Sequence, residues 1–210
     1  MRHCWRGNRG SILRHGDLSV LSFHATKVFN TFEGGAIICP DAKTKQRIDH
    51  LKNFGFVDET TVVAPGINGK MSEINAAFGL LQLKHVNEAL AKRKAIDAAY
   101  RKALKDVPGI RCLQSAGEQV ANYSYFPILV EEDYPLSRDA LYQKLKDNNT
   151  FARRYFYPLI TDFSMYREKI SEKRENLSMA VTASKKVLCL PIYPILDIVQ
   201  VKRILMLLTV

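Results

Sequence analysis

The sequence predicts an α/β fold, and three observations lead there. Short apolar runs of strand length alternate with amphipathic stretches at helical spacing. One of those stretches, opening at Ser72, is far longer than the others. No internal repeat or low-complexity tract interrupts the alternation. With 210 residues, 47% hydrophobic and 25% charged, the chain can bury a substantial core and lies near the boundary between one domain and two.

Taken in order, Leu18 to Phe23 (LSVLSF) and Gly35 to Cys39 (GAIIC) read as two short strands buried in a covered sheet. Between them HATKVFNTFEG is a polar connection, a favourable place for chemistry when rigid strands flank it. Pro40 and Asp41 open a helix that reaches about Phe54 and stops at Gly55. Residues Val57 to Lys70 mix Gly, Pro and Asn with β-branched side chains and read as an extended loop or a short hairpin.

Ser72 can cap the next helix. Ile74, Ala77, Phe78 and Leu81 start its apolar face, and Ile96, Ala99, Tyr100 and Leu104 continue it to Pro108-Gly109. This is one long helix, with or without a kink, and its length suits a connection between two lobes. Beyond it the pattern predicts a strand over Tyr123 to Val130, a helix over Ser137 to Asp147 and a short strand over Arg153 to Tyr157. A helix over Glu175 to Lys186, a strand over Val187 to Leu190 and a last helix over Asp197 to Leu208 complete a small α/β lobe packed on one face of a sheet.

Composition excludes several classes of function. The longest clean apolar run near the C-terminus, Ile204 to Leu208, is far short of the roughly 20 residues a membrane span needs. MRHCWRGNRG has no apolar stretch behind its positive charges, so it does not resemble a secretory signal, and a cytoplasmic location is the expectation. Cys4, Cys39, Cys112 and Cys189 are scattered without a C-x-x-C pair, which argues for reduced, mostly buried thiols and against a metal site. The net charge is +10, yet Arg2, Arg6, Arg9 and Arg14 fall in the first sixteen residues, where no acid balances them. Elsewhere cations interleave with acids, as on a solvated helix face, and no nucleic-acid module is present.

Chemistry concentrates in SFHATKVFNTFEGGAI, Ser22 to Ile37. Lys27 follows one apolar strand closely and precedes Glu-Gly-Gly and a second. A lysine so placed is expected to be partly desolvated, which disfavours the ammonium and makes the amine a better nucleophile toward an aldehyde.

Here the chain resembles the DegT-type sugar aminotransferases of the aspartate-aminotransferase-like fold, which use pyridoxal 5'-phosphate (PLP). In that family the Schiff-base lysine lies in Ser-Phe-x-x-x-Lys followed by Glu-Gly-Gly, and Ser22, Phe23, Lys27, Glu33, Gly34 and Gly35 match it. The likeness continues through PGINGKMSEINAAFGLLQL at Pro65 to Leu83, RRYFYPL at Arg153 to Leu159 and LCLPIYPIL at Leu188 to Leu196. It covers nearly all of the chain after residue 16.

The resemblance implies a fold made of the C-terminal part of the PLP-binding large domain, residues 17–85, followed by the connecting helix and small domain, residues 86–210. Lys27 would hold the cofactor and later move the proton. Ser22 would donate to the cofactor phosphate. Asn68 would reach the phosphate of a partner's cofactor across a homodimer interface. Read from residue type alone, Ser22 is also a strand-end residue bonded to backbone, and Asn68 a turn residue between Gly66 and Gly69. His24 either lines the cofactor pocket or satisfies a backbone carbonyl. Arg153 and Tyr155 are candidates for the diphosphate or sugar of a nucleotide-linked substrate, whereas Tyr157-Pro158 is equally suited to core.

Relatives in which histidine replaces this lysine are dehydratases; Lys27 is kept, so the implied reaction is transfer of an amino group from glutamate or glutamine to a nucleotide-linked keto-sugar. The family also carries an Asp that pairs with the pyridinium nitrogen, in an Asp-x-Ala-His-like motif shortly before the lysine segment. MRHCWRGNRGSILRHG, residues 1–16, occupies that region without a match. A truncated form is therefore expected, with weak or absent turnover by this chain alone, because the electron sink of the cofactor depends on that acid. The alternative is an inactive remnant or dimerisation partner that keeps the fold.

Overall fold

The computed structural model describes residues 6–7, 10–114, 121–166 and 177–209. They form two compact units. The first runs to Glu88 and takes in Asn122; the second starts at Ala89 and resumes at Tyr123.

In the first unit β1 (Arg6–Gly7) pairs antiparallel with β2 (Gly10–Ser11), and a single 3-10 turn, Ile12–Arg14, follows. β3 (Ser19–Ser22) and β4 (Gly35–Ile38) form an antiparallel ribbon in the register Ser19↔Ile38 to Ser22↔Gly35. The two strands stand where the apolar runs predict them, but they are not buried. Val20 is 76% exposed and Ile37 45%. A covered sheet needs neighbours on its faces, and among the described residues β3 and β4 pair only with each other.

α1 (Ala42–Leu51) begins at Asp41, whose carboxylate accepts the Thr44 N–H at 2.7 Å. That capping bond holds the Asp41 carboxyl below its usual range. The helix ends in a left-handed reversal at Phe54 (φ 58°) and Gly55 (φ 87°). The chain then folds back so that Ile67 N–H donates to Leu51 O at 2.9 Å and Gly69 N–H to Lys52 O at 2.8 Å. The stretch read as loop or hairpin is thus a return loop with two isolated bridges, Asn53↔Asn68 and Phe56↔Val62.

α2 (Glu73–Leu104) is a continuous helix of 32 residues. Ser72 caps it as expected, its hydroxyl accepting from Asn75 N–H at 3.2 Å. The division between the units falls within this helix, between Glu88 and Ala89.

The second unit holds the hydrophobic core. Its sheet has the order β5 (Ile110–Cys112), β6 (Phe126–Val130), β7 (Val187–Leu190), all antiparallel. Pro127, which cannot donate to a ladder, lies one residue beyond the β5 pairing, which ends at Cys112↔Ile128. α3 (Arg138–Asp147) buries Arg138, Leu141 and Leu145, and α5 (Ile198–Leu208) buries Val201, Ile204 and Leu208, both at helical spacing. α4 (Ser178–Lys186) leads directly into β7. With Ile96, Tyr100 and Leu104 of α2 these side chains close one cluster. Arg93 and Tyr100 tie the helix to it, donating to Ile192 O at 2.8 Å and Pro191 O at 2.9 Å.

One strand is added here and one expectation changes. β5 carries no periodic signal long enough to be read from three residues, yet pairing on β6 fixes it. The strand expected over Arg153 to Tyr157 is instead a turn that touches β7 through one bridge, Arg153↔Cys189, because the backbone turns away after Arg153. Residues 175–176 of the expected fourth helix, and Cys4, lie outside the described residues.

Candidate functional site

The connection between β3 and β4 is a hydrogen-bonded loop with Lys27 at its first turn. Phe23 N–H donates to Gly34 O at 2.8 Å, closing the ribbon, and Thr31 N–H returns to Phe23 O at 2.9 Å. Lys27 N–H donates to His24 O at 2.9 Å, and Lys27 O accepts from Asn30 Nδ2 at 3.2 Å. The lysine backbone is therefore held on both sides while its side chain is exposed. The partial desolvation expected from the flanking apolar strands is absent, since those strands themselves face solvent.

Ser22 ends β3, opposite Gly35, and its Oγ accepts from His24 N–H at 3.4 Å. That bond leaves the hydroxyl proton for another acceptor. His24 Nδ1 faces the Thr26 N–H at 3.3 Å and the Thr26 hydroxyl at 3.0 Å, while Nε2 lies 3.5 Å from the Glu33 carboxylate. The Thr26 N–H, which can only donate, makes Nδ1 the acceptor and assigns the ring proton to Nε2. The backbone partner of His24 is thus an amide rather than the carbonyl considered from sequence.

Asn68 stands on the return loop beside α1, in the bridge to Asn53, exposed at the surface of the same unit. The loop is tight enough that a Cβ on Gly55 would lie 1.8 Å from Ala64 O, and one on Gly66 would lie 2.4 Å from Gly55 N. Lys70 Nζ donates to Asn53 Oδ1 at 3.1 Å and sits 4.5 Å from the Phe54 ring centroid, bracing the loop from outside.

Arg153 and Tyr155 belong to the second unit. They line a cavity of about 670 Å³ whose walls include Tyr142, Phe156, Tyr157 and Phe163. Arg153 donates to the Tyr155 hydroxyl and exchanges main-chain bonds with Cys189 at 3.0 and 2.8 Å. Tyr157 lines the cavity and also packs against Arg138, whose guanidinium lies 4.6 Å from the ring. Buried Arg138 is anchored by Ser184 O at 2.9 Å and Asp139 at 2.8 Å; Arg154 grips the same carboxylate at 3.0 Å. Burial raises the Asp139 carboxyl, but Arg154 and Arg138 outweigh it and leave it below its usual range. Residue pattern alone gives no sign of this Arg138–Asp139–Arg154 brace, since Arg138 and Asp139 fall in an expected helix and Arg154 in a separate expected strand.

The donor set of the lysine loop fits PLP: an exposed primary amine for its aldehyde, and a strand-end hydroxyl with a proton to give a phosphate. Among the described residues no cluster of three or more His, Cys, Asp or Glu could hold a metal ion, and no helix is long and apolar enough to cross a membrane.

A lysine loop between paired strands, a long helix and a small α/β unit together define the aminotransferase-type α/β fold. DesI, solved in the presence of its TDP-sugar product, superposes with a TM-score of 0.87 at 32% identity, over 97% of this chain and 52% of that one. The chain belongs to the DegT/DnrJ/EryC1/StrS aminotransferase family, whose pattern matches residues 5–209. It is 58% identical over 184 residues to the dTDP-4-amino-4,6-dideoxy-D-glucose transaminase of Shigella dysenteriae, covering 88% of this chain and 50% of that protein. The transaminase of the same name from Escherichia coli is 58% identical over 178 residues, covering 83% of this chain and 48% of that protein. The chain spans about half the length of the curated relatives it matches.

Proposed function

We propose that this chain carries the lysine-bearing part of a PLP-dependent aminotransferase that moves an amino group from glutamate or glutamine to a dTDP-linked keto-sugar. The observation that carries the reading is Lys27, held by its backbone at the first turn between β3 and β4, in a chain 58% identical to two transaminases named for a dTDP-linked amino sugar. When bound, PLP supplies an aldehyde that condenses with an amine and a ring that draws electrons from the adjacent carbon. Lys27 would be the amine that holds the cofactor and the base that moves the proton at the substrate carbon. Ser22 donates its hydroxyl to the phosphate, and His24 lines the pocket. Asn68 extends to the phosphate site of a second copy in a homodimer. Arg153 and Tyr155 meet the diphosphate or sugar. Residues 17–85 are then the remnant of the cofactor domain, and residues 86–210 the connecting helix and small domain, of an enzyme working in the cytoplasm.

A second reading, a remnant without turnover, is favoured by one observation: Lys27 is exposed, so this chain alone does not exclude water from the amine. The two are separated by incubating the chain with PLP, reducing with borohydride and mapping the modified peptides, alongside turnover with a dTDP-linked keto-sugar and glutamate. Label at Lys27 without turnover is the expected result for this chain alone. Absence of label at Lys27 would overturn the cofactor assignment, and stoichiometric label with turnover would overturn the remnant reading.

A further inference from the structure

The loop that presents Lys27 is fastened to α2 around Glu33. Glu33 O accepts two side-chain donors, Thr31 Oγ1 at 2.8 Å and Asn75 Nδ2 of α2 at 2.8 Å. Thr31 is 2% exposed. Two glycines make room for it: a Cβ on Gly79 would lie 2.7 Å from Thr31 Cγ2, and a Cβ on Gly34 would lie 2.6 Å from Thr31 Oγ1. Beside it Phe32 adopts φ 62°, an outlier for a bulky residue, and stacks on Phe78 of α2 with centroids 4.2 Å apart. Backbone strain of this kind is kept where the surroundings fix it, and here they fix the residue between Thr31 and Glu33.

From that point the contacts run on to the lysine. The Glu33 side chain faces His24 Nε2 at 3.5 Å, and His24 O receives the Lys27 N–H. We propose that Thr31 and Asn75 are positioning residues for Lys27: they hold Glu33 by its carbonyl, Glu33 at Nε2 and the Thr26 amide at Nδ1 together hold the His24 ring in its Nε2–H form, and His24 sets the turn that presents the amine. This rests on the reading of Lys27 as the cofactor lysine, but the geometry it asserts can be measured without cofactor.

The test compares the full chain with Thr31→Val, Thr31→Ser and Asn75→Ala, each first checked for native circular dichroism. Long-range proton–nitrogen NMR in mildly alkaline buffer, with His24→Gln to assign the signal, reports the His24 tautomer. Reduction with borohydride after PLP treatment reports the ratio of label at Lys27 to label at Lys43, an exposed α1 lysine of the same unit. The expected result is a single Nε2–H form in the parent and in Thr31→Ser. Mixed tautomers and a labelling ratio lowered roughly fivefold, about one hydrogen bond's worth, are expected in Thr31→Val and Asn75→Ala. Unchanged tautomer and ratio in both of those variants would overturn the proposal, as would a Thr31→Ser variant that behaves like Thr31→Val. A parent that labels Lys27 no better than Lys43 would sink the cofactor reading instead, and the tautomer signal would still decide the latch.

Discussion

Lys27 shows how far a single residue can be understood from its neighbours in sequence. The role proposed for it rests on Ser22, Phe23 and Glu33-Gly34-Gly35 around it, while its environment cannot be read from them, because burial depends on side chains brought in from elsewhere in space. Gly55 is the converse case. The sequence marks it only as a helix stop, yet its φ of 87° and the Ala64 carbonyl 1.8 Å from a would-be Cβ make it the hinge of the Asn68 loop. Gly55→Ala is expected to lower the opening free energy of the Ile67 and Gly69 amides by roughly 2–4 kcal/mol in native-state hydrogen exchange. Cys189 is a third residue with a measurable signature. Burial pushes its thiol up to about 11, against the weaker opposing bond from the Tyr155 backbone. Since the thiolate is the reactive form, alkylation of native Cys189 should stay slow until pH approaches that value and become fast at neutral pH only after unfolding. Rapid native labelling at neutral pH would contradict the burial.

Among the elements, the strands and helices of the second unit are bound at their edges by charge as well as by apolar packing. Glu131, just past β6, accepts from Lys186 at the end of α4 and from Arg111 in β5, each at 2.8 Å. These partners hold its carboxyl below the ordinary value of 4.5. A depressed carboxyl contributes stability above its unfolded value, and that contribution is lost as pH falls through the folded one. Stability of the parent should therefore decline on acidification below about 4.5, and Glu131→Gln should flatten that decline. The cost of the substitution near neutrality is about 0.5–1 kcal/mol, because the cluster is partly open to solvent and screened. Thermal melts of both proteins across the acid range check the sign; parallel acid limbs would exclude Glu131 as the titrating group.

At the scale of the molecule the two units differ in what they bury. Every member of the closed core cluster, from Ile96 to Leu208, lies in the second unit. The first unit has no part in that cluster and leaves Val20, Ile67, Ile74 and Leu80 between 66% and 79% exposed, while the second also leaves Phe151, Met179 and Ile195 at 70% to 85%. Apolar exposure on this scale marks surfaces that bind or aggregate. The chain alone should bind the dye 1-anilinonaphthalene-8-sulfonate, and replacing Leu80 and Leu81 on α2 together by lysine should lower that signal. The thermal transition of the second unit should stay in place, because neither residue belongs to its core. Dye binding unaffected by the pair would place the apolar surface elsewhere.

What the sequence by itself determined is the class of fold, the family and most of the elements: β3, β4, α1, α2, α3, β7 and α5 stand where periodicity, capping residues and Gly-Pro breaks predict them, and β6 begins at Phe126 rather than at Tyr123. Those signals are local, set by hydrogen bonds and side-chain spacing within a few residues. Only the tertiary structure decided what is buried, that β5 pairs on β6, that Arg153 to Tyr157 is a turn, and that Thr31 and Asn75 meet on the carbonyl of Glu33. Each of these depends on contacts between residues far apart in the chain, such as Asn75 and Glu33, for which no local pattern of residues carries a signal.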